Sequence, residues 1–128
     1  MGERPHIMVV DDDQAMLRLL ECILEQEGYG VTLAADGASA LALLEESKPN
    51  LVILDILMPG PDGYQVLESI RRRSDVPVIM VTAVWEVTSS LKALGLGADD
   101  YVKKPFYPEE LVARIQANLK RAETKVRQ

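Results

Sequence analysis

Ile7-Met8-Val9-Val10-Asp11-Asp12-Asp13 sets four consecutive apolar residues against three consecutive carboxylates. The apolar run has the length of a buried strand, and the acids open directly onto Met16, Leu17, Leu20, Ile23 and Leu24 at helical spacing. The acids therefore stand on a strand-to-helix turn. The same arrangement returns along the chain: Leu51 to Leu54 ends in Asp55, Val78 to Val81 ends in Thr82, and the short run Tyr101-Val102 leads to Lys104-Pro105. In a parallel α/β sheet the ligand crevice lies outside the carboxyl ends of the strands, so these residues are expected to converge on one edge. Acids, a hydroxyl and an ammonium gathered there suit a metal ion and a phosphoryl group.

Outward from this stretch the pattern alternates strand and helix, without internal repeat, low-complexity segment or long linker. Gly28 is positioned to close the first helix. Val31 to Ala34 reads as a strand and Ala38 to Glu46 as a helix, which Pro49-Asn50 interrupts. Gly60-Pro61-Asp62-Gly63 is dense turn sequence, followed by Tyr64, Val66, Leu67 and Ile70 as a third helix. Pro77 opens the fourth strand. Leu91, Leu94 and Val87 define a fourth helix that Gly95 and Gly97 end, and Pro108 sits at the first position of a fifth, with Glu109 and Glu110 in its first turn and Leu111, Val112, Ile115 and Leu119 on one face. Val52-Ile53-Leu54 and Val78-Ile79-Met80-Val81 are continuously apolar, as parallel strands covered on both faces should be. The expected fold class is α/β, a three-layer α/β/α sandwich of five strands and five helices.

The 128 residues make one domain with a proper core. Residues 1–122 are expected to form it, with 123–128 a charged tail or the start of a linker. At 48% hydrophobic and 27% charged the balance is that of a soluble globule, with no apolar run near the roughly 18 residues of a membrane span. A net charge of −6 argues against direct nucleic-acid binding, which relies on Lys and Arg neutralising phosphates. Cys22 is the one cysteine, so no internal disulfide can form. It is expected to be a small core residue in a cytoplasmic protein. The first six residues carry no signal-peptide core.

Four blocks together, Val9-Val10-Asp11-Asp12-Asp13, Leu54-Asp55-Ile56-Leu57-Met58-Pro59-Gly60-Pro61-Asp62-Gly63, Val81-Thr82-Ala83, and Gly97-Ala98-Asp99-Asp100-Tyr101-Val102-Lys103-Lys104-Pro105-Phe106, resemble the receiver (CheY-like) domain of bacterial two-component response regulators. The resemblance covers about residues 5 to 121. It implies a flavodoxin-like fold with a five-stranded parallel sheet in the order 2-1-3-4-5, an order that general descriptions of this fold class already give for a chemotaxis receiver. It also implies a phosphoacceptor rather than a classical enzyme. Asp55 would take a phosphoryl group from a sensor histidine kinase or a phosphotransfer protein. Mg²⁺ would be held by Asp12, Asp55 and the backbone carbonyl of Leu57, with Asp11 acting through a water, a ligand set suited to this hard cation. Lys104 would pair with the phosphoryl group, Thr82 would donate its hydroxyl to it, and Tyr101 would change rotamer as Thr82 moves inward. The bond to Pro105 would be cis, and Lys103 would face solvent. The switching surface would be helix four, strand five and helix five, where Lys92, Asp99, Asp100, Glu110, Arg114 and Arg121 offer mixed charges for a phosphorylation-dependent homodimer. Gly97-Ala98-Asp99-Asp100-Tyr101 and Pro108-Glu109-Glu110-Leu111-Val112-Ala113-Arg114-Ile115 resemble receivers attached to winged-helix DNA-binding domains.

Other readings compete at particular residues. Asp13 can simply cap helix one. Asp11-x-Asp13 mimics the nucleophile motif of haloacid-dehalogenase-type phosphohydrolases, but that family prefers Thr or Val where Ala15 stands, and the reading leaves Asp55 unexplained. A pseudo-receiver, an interaction module without phosphotransfer, would not need the full acid, Thr and Lys set. His6, the single histidine, lies away from the acids. Val84 and Trp85 follow Thr82 where many receivers are polar, and Trp85 can either fold onto helix four or respond to closure of its loop. Tyr107 makes a soft cap for helix five.

Overall fold

Strand order in the structure, a computed structural model that describes residues 4–127, follows from burial on both faces of one sheet. Strands β1 (His6–Val10), β2 (Gly30–Ala34), β3 (Leu51–Leu54), β4 (Val78–Thr82) and β5 (Asp100–Lys103) alternate with helices α1 (Gln14–Gln26), α2 (Gly37–Ser47), α3 (Gly63–Arg71), α4 (Val87–Gly95) and α5 (Pro108–Arg127). All strand pairs are parallel, in the order β2-β1-β3-β4-β5. This is the expected flavodoxin-like sandwich. Because side chains alternate across a strand, Met8, Val10, Val52, Leu54, Val78 and Met80 pack with residues of α2, α3 and α4, whereas Ile7, Val9, Leu51, Ile53, Ile79 and Val81 pack with α1 and α5. These strand residues are essentially fully buried, each worth roughly 1.5–3 kcal/mol of hydrophobic transfer.

Helix entry is well specified in the first half of the chain. Asp13 caps α1 by accepting from the Ala15 and Met16 amides, and Asp36 caps α2 through Ser39. Asp62 and Gln65 form a reciprocal capping box at α3. Gly63, the first residue of α3, lies so close to β3 that a Cβ there would sit 2.2 Å from the Asp55 carbonyl oxygen. Glycine alone lets α3 start against the end of that strand.

Two expectations need correction, and one open alternative is decided. Cys22 is exposed on α1 rather than packed in the core. Helix α4 forms where its periodicity places it, but Val87, Leu91 and Leu94 face outward, and Ala93 is the residue it buries. Trp85 does not fold onto α4; its indole reaches the loop after β5. Helix α5 runs through residues 123–127, the stretch read as a charged tail or the start of a linker. Among the described residues no helix is long and apolar enough to cross a membrane.

Candidate phosphoacceptor site

Strand register brings the acids together. Val10 pairs with Leu54 across β1 and β3, and the ladder runs one residue further, with the Asp55 amide donating to the Val10 carbonyl at 3.0 Å. Asp11 and Asp55 therefore leave adjacent strands side by side. On the other flank Thr82 pairs with Lys103, and the Lys104 amide donates to the Thr82 carbonyl at 2.8 Å, which brings Lys104 to the same edge. The Lys104–Pro105 bond is cis.

The side chains converge. Lys104 Nζ donates to Asp11 Oδ2 at 2.7 Å and to Asp55 Oδ2 at 3.1 Å, and both carboxylates are buried. Asp11 Oδ1 accepts from the Asp13 amide at 2.9 Å, and Asp55 Oδ1 from the Leu57 amide at 3.4 Å. Burial pushes the Asp11 carboxyl above its ordinary range, although the Lys104 and Asp13 hydrogen bonds pull it down. Burial works against the Lys104 charge too, but the Asp11 hydrogen bond and the field of Asp55 outweigh it and hold the ammonium above its ordinary range. The two shifts pull oppositely on the pair. With an ammonium only 2.7 Å from a carboxylate, the direction that governs is that of Lys104, toward the charged state.

Asp12 is exposed at the rim, and oxygens of Asp11, Asp12 and Asp55 lie within 4.8 Å of one another. Three carboxylates against one ammonium leave a local formal charge of about −2, and an all-oxygen donor set is what a hard divalent cation binds. The residues fit Mg²⁺. Asp13 stands apart from this group as the cap of α1, so the second acid of the hydrolase-type motif is not in the site.

Around the pocket, Thr82 is fully buried, and its Oγ1 accepts from the Val84 amide at 3.3 Å. Tyr101 is half-buried, and its hydroxyl donates to the Val84 carbonyl at 2.6 Å. Burial chiefly, with the fields of Tyr64, Glu86 and Asp55, pushes its phenol up to about 12. Lys103 is exposed. His6 sits at the opposite end of β1, against Thr32 of β2. The mixed charges expected on the α4, β5 and α5 face already have partners: Arg71 with Asp99, and Arg114 with both Asp100 and Glu110, while Arg121 bonds Asn118 and Lys92 lies over the Tyr64 ring.

One residue and one contact were missed in the sequence. Arg71 fastens the turn before β4 by donating to the Gly97, Ser74 and Val76 carbonyls and to Asp99. The bond from Trp85 Nε1 to the Lys104 carbonyl, at 2.7 Å, joins positions 19 residues apart, and nothing local announces either partner.

A parallel sheet in this order with an acid and lysine pocket at its carboxyl edge defines a class, and comparison with known proteins gives the same one. The family model described as "Response regulator receiver domain" matches residues 7–116. The chain belongs to the response regulator receiver domain family. It is 50% identical over 117 residues to the "Probable transcriptional regulator ycf27" of Cyanophora paradoxa, covering 91% of this chain and 49% of that relative. With the protein of the same description from Galdieria sulphuraria the identity is 50% over 123 residues, covering 96% and 48%. The chain thus spans about half the length of these curated relatives. Among solved structures, a CheY-like receiver domain protein from Methanospirillum hungatei superposes with a TM-score of 0.91 at 36% identity, covering 96% of this chain and 99% of that one. The BeF3-activated N-terminal receiver domain of RstA from Klebsiella pneumoniae gives 0.87 at 30%, covering 89% and 97%.

Proposed function

We propose that Asp55 is the phosphoacceptor, taking a phosphoryl group from the phosphohistidine of a sensor histidine kinase or phosphotransfer protein in the cytoplasm. The observation that carries this reading is the Lys104 ammonium held between Asp11 and Asp55. A carboxylate oxygen of Asp55 attacks phosphorus, the phosphorus–nitrogen bond breaks, and its electron pair returns to the imidazole of the donor. Lys104 then exchanges its contact with Asp55 for a phosphoryl oxygen, and the buried Thr82 hydroxyl donates to another. Asp12, Asp55 and the Leu57 carbonyl, with Asp11 through a water, would hold Mg²⁺, which would supply positive charge to offset repulsion between the carboxylates and the incoming group. The domain promotes its own phosphorylation and dephosphorylation and is not a classical enzyme.

The added charge, about −1.5 to −2 by analogy with other phosphorylated side chains, biases the Thr82 loop, Tyr101 and the α4, β5 and α5 face. A homodimer through that face would exchange the internal Arg114 pairs with Asp100 and Glu110 for reciprocal ones across a two-fold axis. If this segment is part of a longer chain, its output would be a DNA-binding domain, a reading supported by transcriptional regulators of about twice its length. This segment itself contacts no nucleic acid or membrane. Intact-mass spectrometry after incubation with acetyl phosphate and Mg²⁺ tests the assignment: the native chain gains one phosphoryl group and Asp55→Asn gains none. An adduct on the variant would place the acceptor elsewhere.

A further inference from the structure

An indole more than half exposed beside a charged pocket is costly to leave idle. Trp85 lies in the loop between β4 and α4, three residues beyond Thr82, and its N–H donates to the carbonyl of Lys104 at 2.7 Å. Lys104 is thereby fixed at three points. Its amide donates to Thr82, its ammonium spans Asp11 and Asp55, and its carbonyl accepts from Trp85. The loop that carries Trp85 is itself fastened on both sides of that contact: the Val84 amide donates to the Thr82 hydroxyl, and the Val84 carbonyl accepts from Tyr101.

We propose that Trp85 is a positioning residue for phosphoryl transfer, holding the Lys104 backbone in place while its ammonium passes from the carboxylates to the phosphoryl group. The inference rests on Asp55 being the acceptor. The physical need is specific. Lysine is a compact charge on a flexible stem of four carbons, and it stabilises a transferred group only if its backbone anchor stays put when the ion pair that held the tip is broken. A displacement of about 1 Å in a reacting constellation can cost on the order of a hundredfold in rate. The main-chain bond from Lys104 to Thr82 fixes the approach to the residue, and the bond from Trp85 fixes the departure. Because much of the ring lies in water, its removal leaves the cores on both sides of the sheet intact.

The test is a double-mutant cycle read on the rate constant for labelling Asp55 at saturating acetyl phosphate with Mg²⁺, using native chain, Trp85→Phe, Lys104→Gln and the double variant. A further form carrying 3-benzothienylalanine at position 85 keeps the ring's shape and lacks the N–H. Trp85→Phe and the benzothienyl form should each slow labelling by about five- to tenfold, the worth of one hydrogen bond. The acetyl phosphate concentration for half-saturation and the urea midpoint should stay unchanged. In the Lys104→Gln background the Trp85 substitution should have no effect. Equal slowing in both backgrounds, or none in either, overturns the positioning role and leaves the acceptor assignment standing. Failure of the native chain to label at Asp55 overturns the acceptor assignment and this inference with it.

Discussion

Helices α3 and α4 lie on the same side of the sheet and are nine residues each, yet they are held very differently. Helix α3 begins in a capping box, buries Gly63, Val66, Leu67 and Ile70, and abuts the backbone of Asp55 and Ile56. Helix α4 begins at Glu86 with no side-chain cap, buries Ala93, and turns Val87, Leu91 and Leu94 to solvent. Its tethers are polar and peripheral: the Tyr64 hydroxyl donates to the Ser89 carbonyl, and the Lys92 ammonium lies 4.3 Å from the Tyr64 ring centre. Elements that move on ligand binding come from the weakly stabilised parts of a fold. On the proposed reading, Asp55 is anchored by the firmly held helix, and the response would fall to the loose one.

Gly63→Ala should break the rigid side most severely. The new methyl group would meet main-chain atoms of Asp55 and Ile56 at 2.2 and 2.5 Å, and backbone cannot rotate away as a side chain can. We expect a loss of about 3 kcal/mol in urea denaturation; a loss below about 1 kcal/mol would mean that α3 is free to slide off β3 and is no anchor.

The caps sharpen the contrast at a smaller scale. Asp62→Ala and Asp13→Ala should each cost about 1 kcal/mol, whereas Glu86→Ala should fall within about 0.5 kcal/mol of the native chain, as surface changes do. Comparable costs at all three positions would remove the distinction between the helix ends.

Tyr101 gives the smallest effect, at the seam between the two regions. Its phenol holds its proton up to about pH 12, against about 10 in an unfolded chain. A group whose folded-state value is raised contributes stability that is fully present below pH 10 and is lost as the pH climbs through about 12. Denaturation midpoints followed between these limits should fall less steeply for Tyr101→Phe than for the native chain. Parallel curves would show that the phenol is not held in this way.

How far this contrast was legible in the sequence depends on what each residue answers to. Continuous apolar runs ending in Asp11, Asp55 and Thr82 announced buried parallel strands and their shared edge, because strand burial and alternation are local properties. Asp13 announced the start of α1 for the same reason. The outward turn of Val87, Leu91 and Leu94 was not legible: helical spacing says that three residues share a face, not whether anything covers it. Gly63 read as turn chemistry, while its close approach to Asp55 depends on how α3 docks. The partner of Trp85 and the Gly97 and Asp99 partners of Arg71 lie on other loops, and only the assembled sheet brings them within reach. Exposure of Cys22 turned on which side of α1 meets the core, and a lone small residue does not decide that.

Amide hydrogen exchange, read with and without Mg²⁺ and beryllofluoride, bears on the division of labour most directly. The account predicts that at rest Val87–Gly95 exchanges faster than Gly63–Arg71, and that the phosphoryl mimic changes exchange across α4 and the Thr82–Glu86 loop while leaving α1 and α3 as they were. Protection of α4 equal to that of α3 at rest, or a response to the mimic confined to α1 and α3, would contradict it.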